Sequence, residues 1–154
     1  MKILLDTNII IDIISKRSGY EDSLQVFKYC ELGWVRAFIS ATTVTDIMYI
    51  LRKQIEPHDV RAAMETLFLI VDIASVTKDD IMHALSSNLK DFEDAVQVAC
   101  AKRNGANYII TRNIKDFNHA DVMALDPRDA IELIRDEFLM TKYGGKFDVT
   151  TKNS

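Results

Sequence analysis

The residues of this 154-residue chain best equipped for chemistry are aspartates set among apolar neighbours. "KILLDTNIIIDI", residues 2–13, interrupts an apolar run with Asp6, Thr7 and Asn8. An unpaired charge in apolar surroundings is costly or changes protonation state. Asp6 is therefore solvated at a strand end, caps a helix, or holds something positive. Asp46 lies in "ATTVTDIMYILRK", where helical spacing sets it beside Thr42 and Ile50 rather than on a clearly wet side. In "LKDFEDAVQVACAKRNGA", Asp91 and Asp94 project from the same side of a first helical turn, and Glu93 points elsewhere. "IITRNIKDF" adds Thr111 at a strand end, then Asn113 and Asp116.

Each acid also has a plainer reading. Asp46 suits a boundary position with a local hydrogen bond. Asp91 is a natural helix cap, and Asp116 fits an ordinary "KDF" turn. Asp94 is harder to dismiss, because it runs straight into the small, tightly packed "AVQVACA" face. Carboxylates gathered from distant positions repel one another unless a cation sits between them. An oxygen-only set favours Mg²⁺ or Mn²⁺ over zinc. Such a site suits phosphodiester hydrolysis, since the metal polarises a phosphate oxygen and acidifies water. His58, His83 and His119 are scattered and read as surface or structural residues.

The elements that must position these residues alternate. Strands are expected at 2–6, 35–40, 70–75, 107–111 and within "DVMAL" at 121–125. Helices are expected at 8–15 with Thr7 or Asn8 near the cap, and at 20–32 ending at Gly33. Others follow at 44–53 capped by Thr42 or Thr43, 58–69 after Pro57, 78–88, 92–104 ending at Gly105, and 127–139. Asp12 is assigned to the solvent side of the first helix. This order predicts an α/β domain over 1–139, with helices flanking a mostly parallel sheet, and a loose tail over 140–154. Sites in such sheets gather beyond the carboxyl ends of strands, where Asp6 and Thr111–Asn113 fall.

With 48% hydrophobic and 27% charged residues, the composition is that of an ordinary globular protein. No apolar run approaches the roughly 20 residues needed to span a bilayer, and Asp6 cuts short any signal-peptide pattern, so the cytoplasm is the expected compartment. A net charge of −4 argues against gripping nucleic acid by bulk electrostatics, although a bound cation would reverse the sign locally. The basic pairs Lys16/Arg17, Arg52/Lys53, Lys102/Arg103 and Arg112/Lys115 read as solvated surface. Cys30 and Cys100 fit neither a zinc spacing nor a disulfide framework and read as buried thiols.

"ILLDTNIII", "ISATTVTDIMYIL", "DFEDAVQVACAKRNGANYIITRNIKDF" and "LDPRDAI" together span residues 3–131. In order and wording they resemble the PIN-domain family of metal-dependent ribonucleases, which includes VapC-type toxins of toxin–antitoxin pairs. The resemblance implies a PIN-like, three-layer α/β/α domain with a sheet of four to five strands. It makes Asp6, Asp46 and Asp94 the catalytic, metal-holding acids, with Mg²⁺ or Mn²⁺ as cofactor. Asn8, Thr111 and Asn113 would support them, with Asp91 and Asp116 as neighbours. Asp46 stands where many members carry Glu, and Asn113 where the family commonly has a fourth Asp. The implied reaction is endonucleolytic cleavage of RNA leaving 5′-phosphate and 3′-hydroxyl ends. A homodimer and a small antitoxin protein are the implied partners.

Two alternatives follow from the residues. The exchange at Asn113 and the shorter acid at Asp46 are consistent with a catalytically weak RNA- or partner-binding module. A phosphotransfer enzyme using Asp6 as nucleophile would resemble haloacid-dehalogenase-like phosphatases, but those want a second Asp where Asn8 stands.

Overall fold

The computed structural model describes residues 1–144. Its strands are β1 (Lys2–Leu5), β2 (Arg36–Ser40), β3 (Asp72–Ala74), β4 (Tyr108–Ile110) and β5 (Met123–Leu125). They form one sheet in the order β3-β2-β1-β4-β5, and every neighbouring pair is parallel. The helices are α1 (Thr7–Ser15), α2 (Tyr20–Glu31), α3 (Ala41–Leu51), α4 (Pro57–Leu67), α5 (Lys78–Leu85), α6 (Phe92–Arg103) and α7 (Pro127–Tyr143). A 3-10 turn over Ile114–Phe117 follows β4. Among the described residues no helix is long and apolar enough to cross a membrane.

The alternation of a strand divides the core into two. Ile3 and Leu5 of β1 face a large cluster with Ile9 and Ile10 of α1, Val26 of α2, Ile47 of α3, Met64 of α4 and Ile134 of α7. Leu4, between them, faces the opposite side with Phe38, Ile109, and Val98, Cys100 and Ala101 of α6. Ala84 of α5 packs outside against Ala95 and Val96. The result is the expected three layers, and both thiols are buried, with burial pushing Cys30 up to about 12. Small residues on α6 let it lie close to the sheet.

Several boundaries move from the sequence expectation. Ser40, not Thr42 or Thr43, caps α3, its hydroxyl accepting from Thr43 N at 3.3 Å, so the helix starts at Ala41. The last helix continues past 139 to Tyr143, and residues 145–154 of the expected tail lie outside the described residues. Asp12 is not on a solvent side: it is only 2% exposed. It meets Arg112 Nη1 at 3.0 Å, and that nitrogen also donates to the Ser18 carbonyl at 2.7 Å. Arg112 therefore ties the start of the 3-10 turn to α1. It also crowds Gly19, where an added Cβ would lie 3.1 Å from its Nη2 and the backbone φ is +78°.

Asp80 on α5 shows how a buried acid is neutralised when its role is structural. Its carboxylate accepts from Thr77 N and Arg103 Nε, closing a capping box and an ion pair together. Burial alone would raise this carboxyl, but the Arg103 guanidinium and the Thr77 donors outweigh it and hold it below its ordinary range. The folded state thus binds fewer protons than the unfolded chain, so the contribution is complete above about pH 4 and is lost as pH falls through the depressed value. Replacing Asp80 with Ala should cost about 2 kcal/mol in urea denaturation at pH 7, with the deficit shrinking in acid.

Candidate functional site

Strand β1 lies between β2 and β4; the chain leaves β1 toward β2 and β4 toward β5, in opposite directions, and this opens a crevice at the carboxyl edge. Asp6 sits at this edge. Its N–H still belongs to the sheet, donating to the Ile110 carbonyl at 3.0 Å, while its carbonyl accepts from Ile9 N and starts α1. Asp6 occupies the cap position of α1, yet its side chain makes no cap bond. The carboxylate is only 2% exposed and turns to other donors. Thr111 Oγ1 donates to Oδ2 at 2.8 Å and Gln97 Nε2 to Oδ1 at 3.0 Å, with Asn8 Nδ2 at 3.5 Å from Oδ2. Thr111 is itself oriented by Asn113 N, which donates to its hydroxyl at 3.0 Å.

A cavity of about 170 Å³ opens here, lined by Asp6, Asn8, Glu93, Asp94, Asn113 and Asp116 together with Thr7, Ile50, Asp91 and Phe117. Asp91 does cap α6, accepting from Glu93 N at 2.8 Å and Asp94 N at 3.2 Å, and its charge also reaches the site. Asp116 belongs to the cavity lining as well as to the 3-10 turn. The apparent turn residue and the site residue are one.

Glu93 overturns its sequence assignment. It faces inward, accepting from Thr7 Oγ1 at 3.1 Å, and it stands beside Asp46. Asp46 does not line the cavity but acts on two residues that do, Glu93 and, through its charge, Asp91. Asp46 Oδ2 is buried without a donor, and a hydrogen bond from Glu93 requires a proton on one of the two carboxyls. Burial first, and the Asp46 charge second, push Glu93 up to about 7. Burial and the charges of Asp6, Asp91, Asp116 and Glu93 push Asp94 up to about 7. Asp46 is raised too, chiefly by burial.

Gln97 was also missed. A lone amide among small apolar residues of "AVQVACA", three places after Asp94, was the available signal. Glu93 had no such signal, because the Thr7 hydroxyl that it meets lies far away in sequence.

A larger cavity of about 830 Å³ lies between α5, α6 and residues 118–121, lined among others by His83, His119, Lys102 and Arg103. Its strongest cations are already matched, Lys102 with Asp121 at 2.6 Å and Arg103 with Asp80. In the acidic cavity, by contrast, no lining carboxylate forms an ion pair among the described residues. Among the described residues no group of three or more His, Cys, Asp or Glu side chains is already arranged to hold a metal ion. The donor chemistry nevertheless fits a hard divalent cation: oxygen atoms only, mutually repelling, with no cation-bearing side chain among those lining the cavity.

A family model described as "PIN domain" matches residues 2–115. A curated relative, "Ribonuclease VapC1" of Aquifex aeolicus, is 26% identical over 114 residues, covering 70% of this chain and 78% of the relative. A toxin–antitoxin complex from Klebsiella pneumoniae contains a chain 26% identical with a TM-score of 0.63, covering 81% of this chain and 97% of that one. DNA-bound VapBC from Salmonella typhimurium shares the fold at 18% identity and a TM-score of 0.64, over 82% of this chain and 98% of that one.

The crowded acids have a consequence for stability. Glu93 and Asp94 bind protons more tightly folded than unfolded, so stability falls as pH rises from about 4.5 toward 7 and does not recover above it. In chelator-treated protein at pH 7.5, Glu93→Gln and Asp94→Asn should each raise the melting temperature by about 2 °C or more. Both should also flatten its decline between pH 5 and 7.5. A lowered melting temperature in both variants would show that the repulsion is absent.

Proposed function

The chain belongs to the PIN-domain family, and from that premise we propose that it is an Mg²⁺- or Mn²⁺-dependent endoribonuclease, the toxin of a toxin–antitoxin pair. The observation that carries this reading is the convergence of Asp6, Glu93, Asp94 and Asp116 on one small cavity at the crevice of a parallel sheet. Asp6 and Asp94 would hold the cation, with Asn113 and Asp116 at its edge. Asp46 would act from behind, through Glu93. When bound, the metal supplies Lewis-acid polarisation of a phosphate oxygen and lowers the pKa of water.

The rest of the work falls to the protein's own groups. Thr111 fixes Asp6 against rotation, and Asn113 N fixes Thr111. Thr7 holds Glu93 toward the cavity through its hydroxyl. Lys90 and Lys115 adjoin Asp91 and Asp116 in sequence, are exposed, and form no ion pair among the described residues. Their charges favour approach of a phosphate chain that the acids alone would repel. Single-stranded RNA, with its bases splayed over the surface, is the substrate such a shallow site can admit.

The solved relatives supply the proposed partners. The Klebsiella pneumoniae structure is described as a toxin–antitoxin complex. By likeness, this chain acts in the cytoplasm as a homodimer restrained by a small antitoxin protein. A second reading, a binding module with a weakened metal site, is favoured by the lack of a ready-made metal cage among the described residues.

Asp6→Asn and Asp94→Asn should each lower Mn²⁺-dependent cleavage of single-stranded RNA at least about 100-fold, with unchanged circular dichroism. Full activity in either variant would overturn the assignment. Absence of Mn²⁺ binding at millimolar metal by calorimetry would favour the module. Expression of the chain should arrest growth, and co-expression of a small DNA-binding protein encoded beside it should relieve the arrest; no arrest would remove the toxin role.

A further inference from the structure

Gln97 is 0% exposed and lies in the middle of α6, among Ala95, Val96, Val98, Cys100 and Ala101, all of them buried. Its Nε2 donates to Asp6 Oδ1 at 3.0 Å, while its Oε1 is buried with no hydrogen-bond partner among the described residues. Turning the amide over would set two acceptors face to face, so Asp6 dictates its orientation. A buried unpaired carbonyl is costly, and a methionine of similar volume would fill the same space without it. The fold alone gives no reason for an amide here.

The two oxygens of Asp6 are not equivalent. Oδ2 accepts from Thr111 and lies near Asn8 Nδ2, whereas Oδ1 accepts from Gln97 only. A carboxylate oxygen offers two acceptor positions, so Oδ1 keeps one of them open. Thr111 and Gln97 grip the carboxylate from opposite oxygens, one from the end of β4 and the other from α6. Together they prevent it from rotating about its own axis. We infer that Gln97 is a positioning residue of the metal site: its amide holds Asp6 so that Oδ1 presents a single open lone pair to a divalent cation. The unpaired Oε1 is the cost of keeping that donor in the packed face of α6.

This rests on the reading of the cavity as the metal site of a nuclease. Gln97→Met removes the donor and the unpaired acceptor together, so their effects on folding oppose one another. Calorimetric titration with Mn²⁺, without RNA, should show a dissociation constant about ten-fold or more above that of the wild-type protein. Cleavage by Gln97→Met should recover as Mn²⁺ is raised, because a displaced ligand weakens metal binding before it harms chemistry. A purely structural residue would lower activity equally at every metal concentration.

Equal Mn²⁺ affinity in wild type and Gln97→Met would overturn the inference and leave the nuclease reading standing. Failure of the wild-type protein to bind Mn²⁺ would overturn both. Should Gln97→Met not fold, Gln97→Leu provides the same comparison, and a wild-type crystal soaked in Mn²⁺ provides a second. Nε2 within hydrogen-bond distance of Oδ1 in a metal-bound Asp6 supports the role; an amide turned away from Asp6 overturns it.

Discussion

The structure depends on one buried, hydrogen-bonded carboxylate at the end of a central strand. Asp6 is where β1 stops being a strand and α1 begins, and its backbone serves both elements. A side chain in that place would ordinarily cap the helix. Here the cap bond is forgone and the carboxylate is satisfied by Thr111 from β4 and Gln97 from α6, more than 90 residues away in sequence. Hydrogen bonding to Asp6 thereby ties together the neighbouring strand and the helix on one face of the sheet. The order of the strands makes this possible, because only at the crevice beside β1 can groups from β4 and α6 meet a residue leaving β1.

Other buried aspartates show what is unusual about the site. Asp12 is matched by Arg112 and Asp80 by Arg103, and each pair fastens two segments of the fold. Asp6 has hydroxyl and amide donors and Glu93 a hydroxyl donor, but among the described residues neither they nor Asp94 have an arginine or lysine partner. Arg112 lies immediately beside Thr111, yet its guanidinium is committed to Asp12 and the Ser18 carbonyl. A sequence selected for stability alone would have little reason to leave three neighbouring acids unneutralised while placing arginines elsewhere. Raised carboxyls at a crevice with no countercharge among the lining residues are the chemistry that the proposed cation would answer.

Much of this was legible in the sequence, and what was not has a consistent cause. The alternation of apolar strands and capped helices located all five strands and the parallel layers. Asp6 and Thr111 were legible because strand ends are where such sheets build sites. Side-chain direction within a helix was less so. Asp12 looked solvent-facing because its partner, Arg112, comes from 100 residues further on. Glu93 looked outward because a first helical turn has no apolar stripe to fix its rotation, and it is Thr7, 86 residues away in sequence, whose hydroxyl it meets. Asp46 carried the right chemistry but stands behind Glu93 rather than in the cavity.

Asn113 first appeared as the weakest part of the acidic set, since it puts a neutral amide where the family commonly has an acid. The geometry gives the position a different importance. Its backbone N–H steadies the Thr111 hydroxyl that holds Asp6, a role independent of the side chain. The negative charge missing at 113 enters three residues later, because the 3-10 turn brings Asp116 back to the cavity, where its charge raises Asp94. Asn113 stands just before the turn, with φ −111° and ψ 58°, and both it and Asp116 line the cavity. An acid three places further on therefore faces the same space. Asp116 thus brings negative charge to the cavity despite the asparagine, and that charge would favour the cation proposed for it.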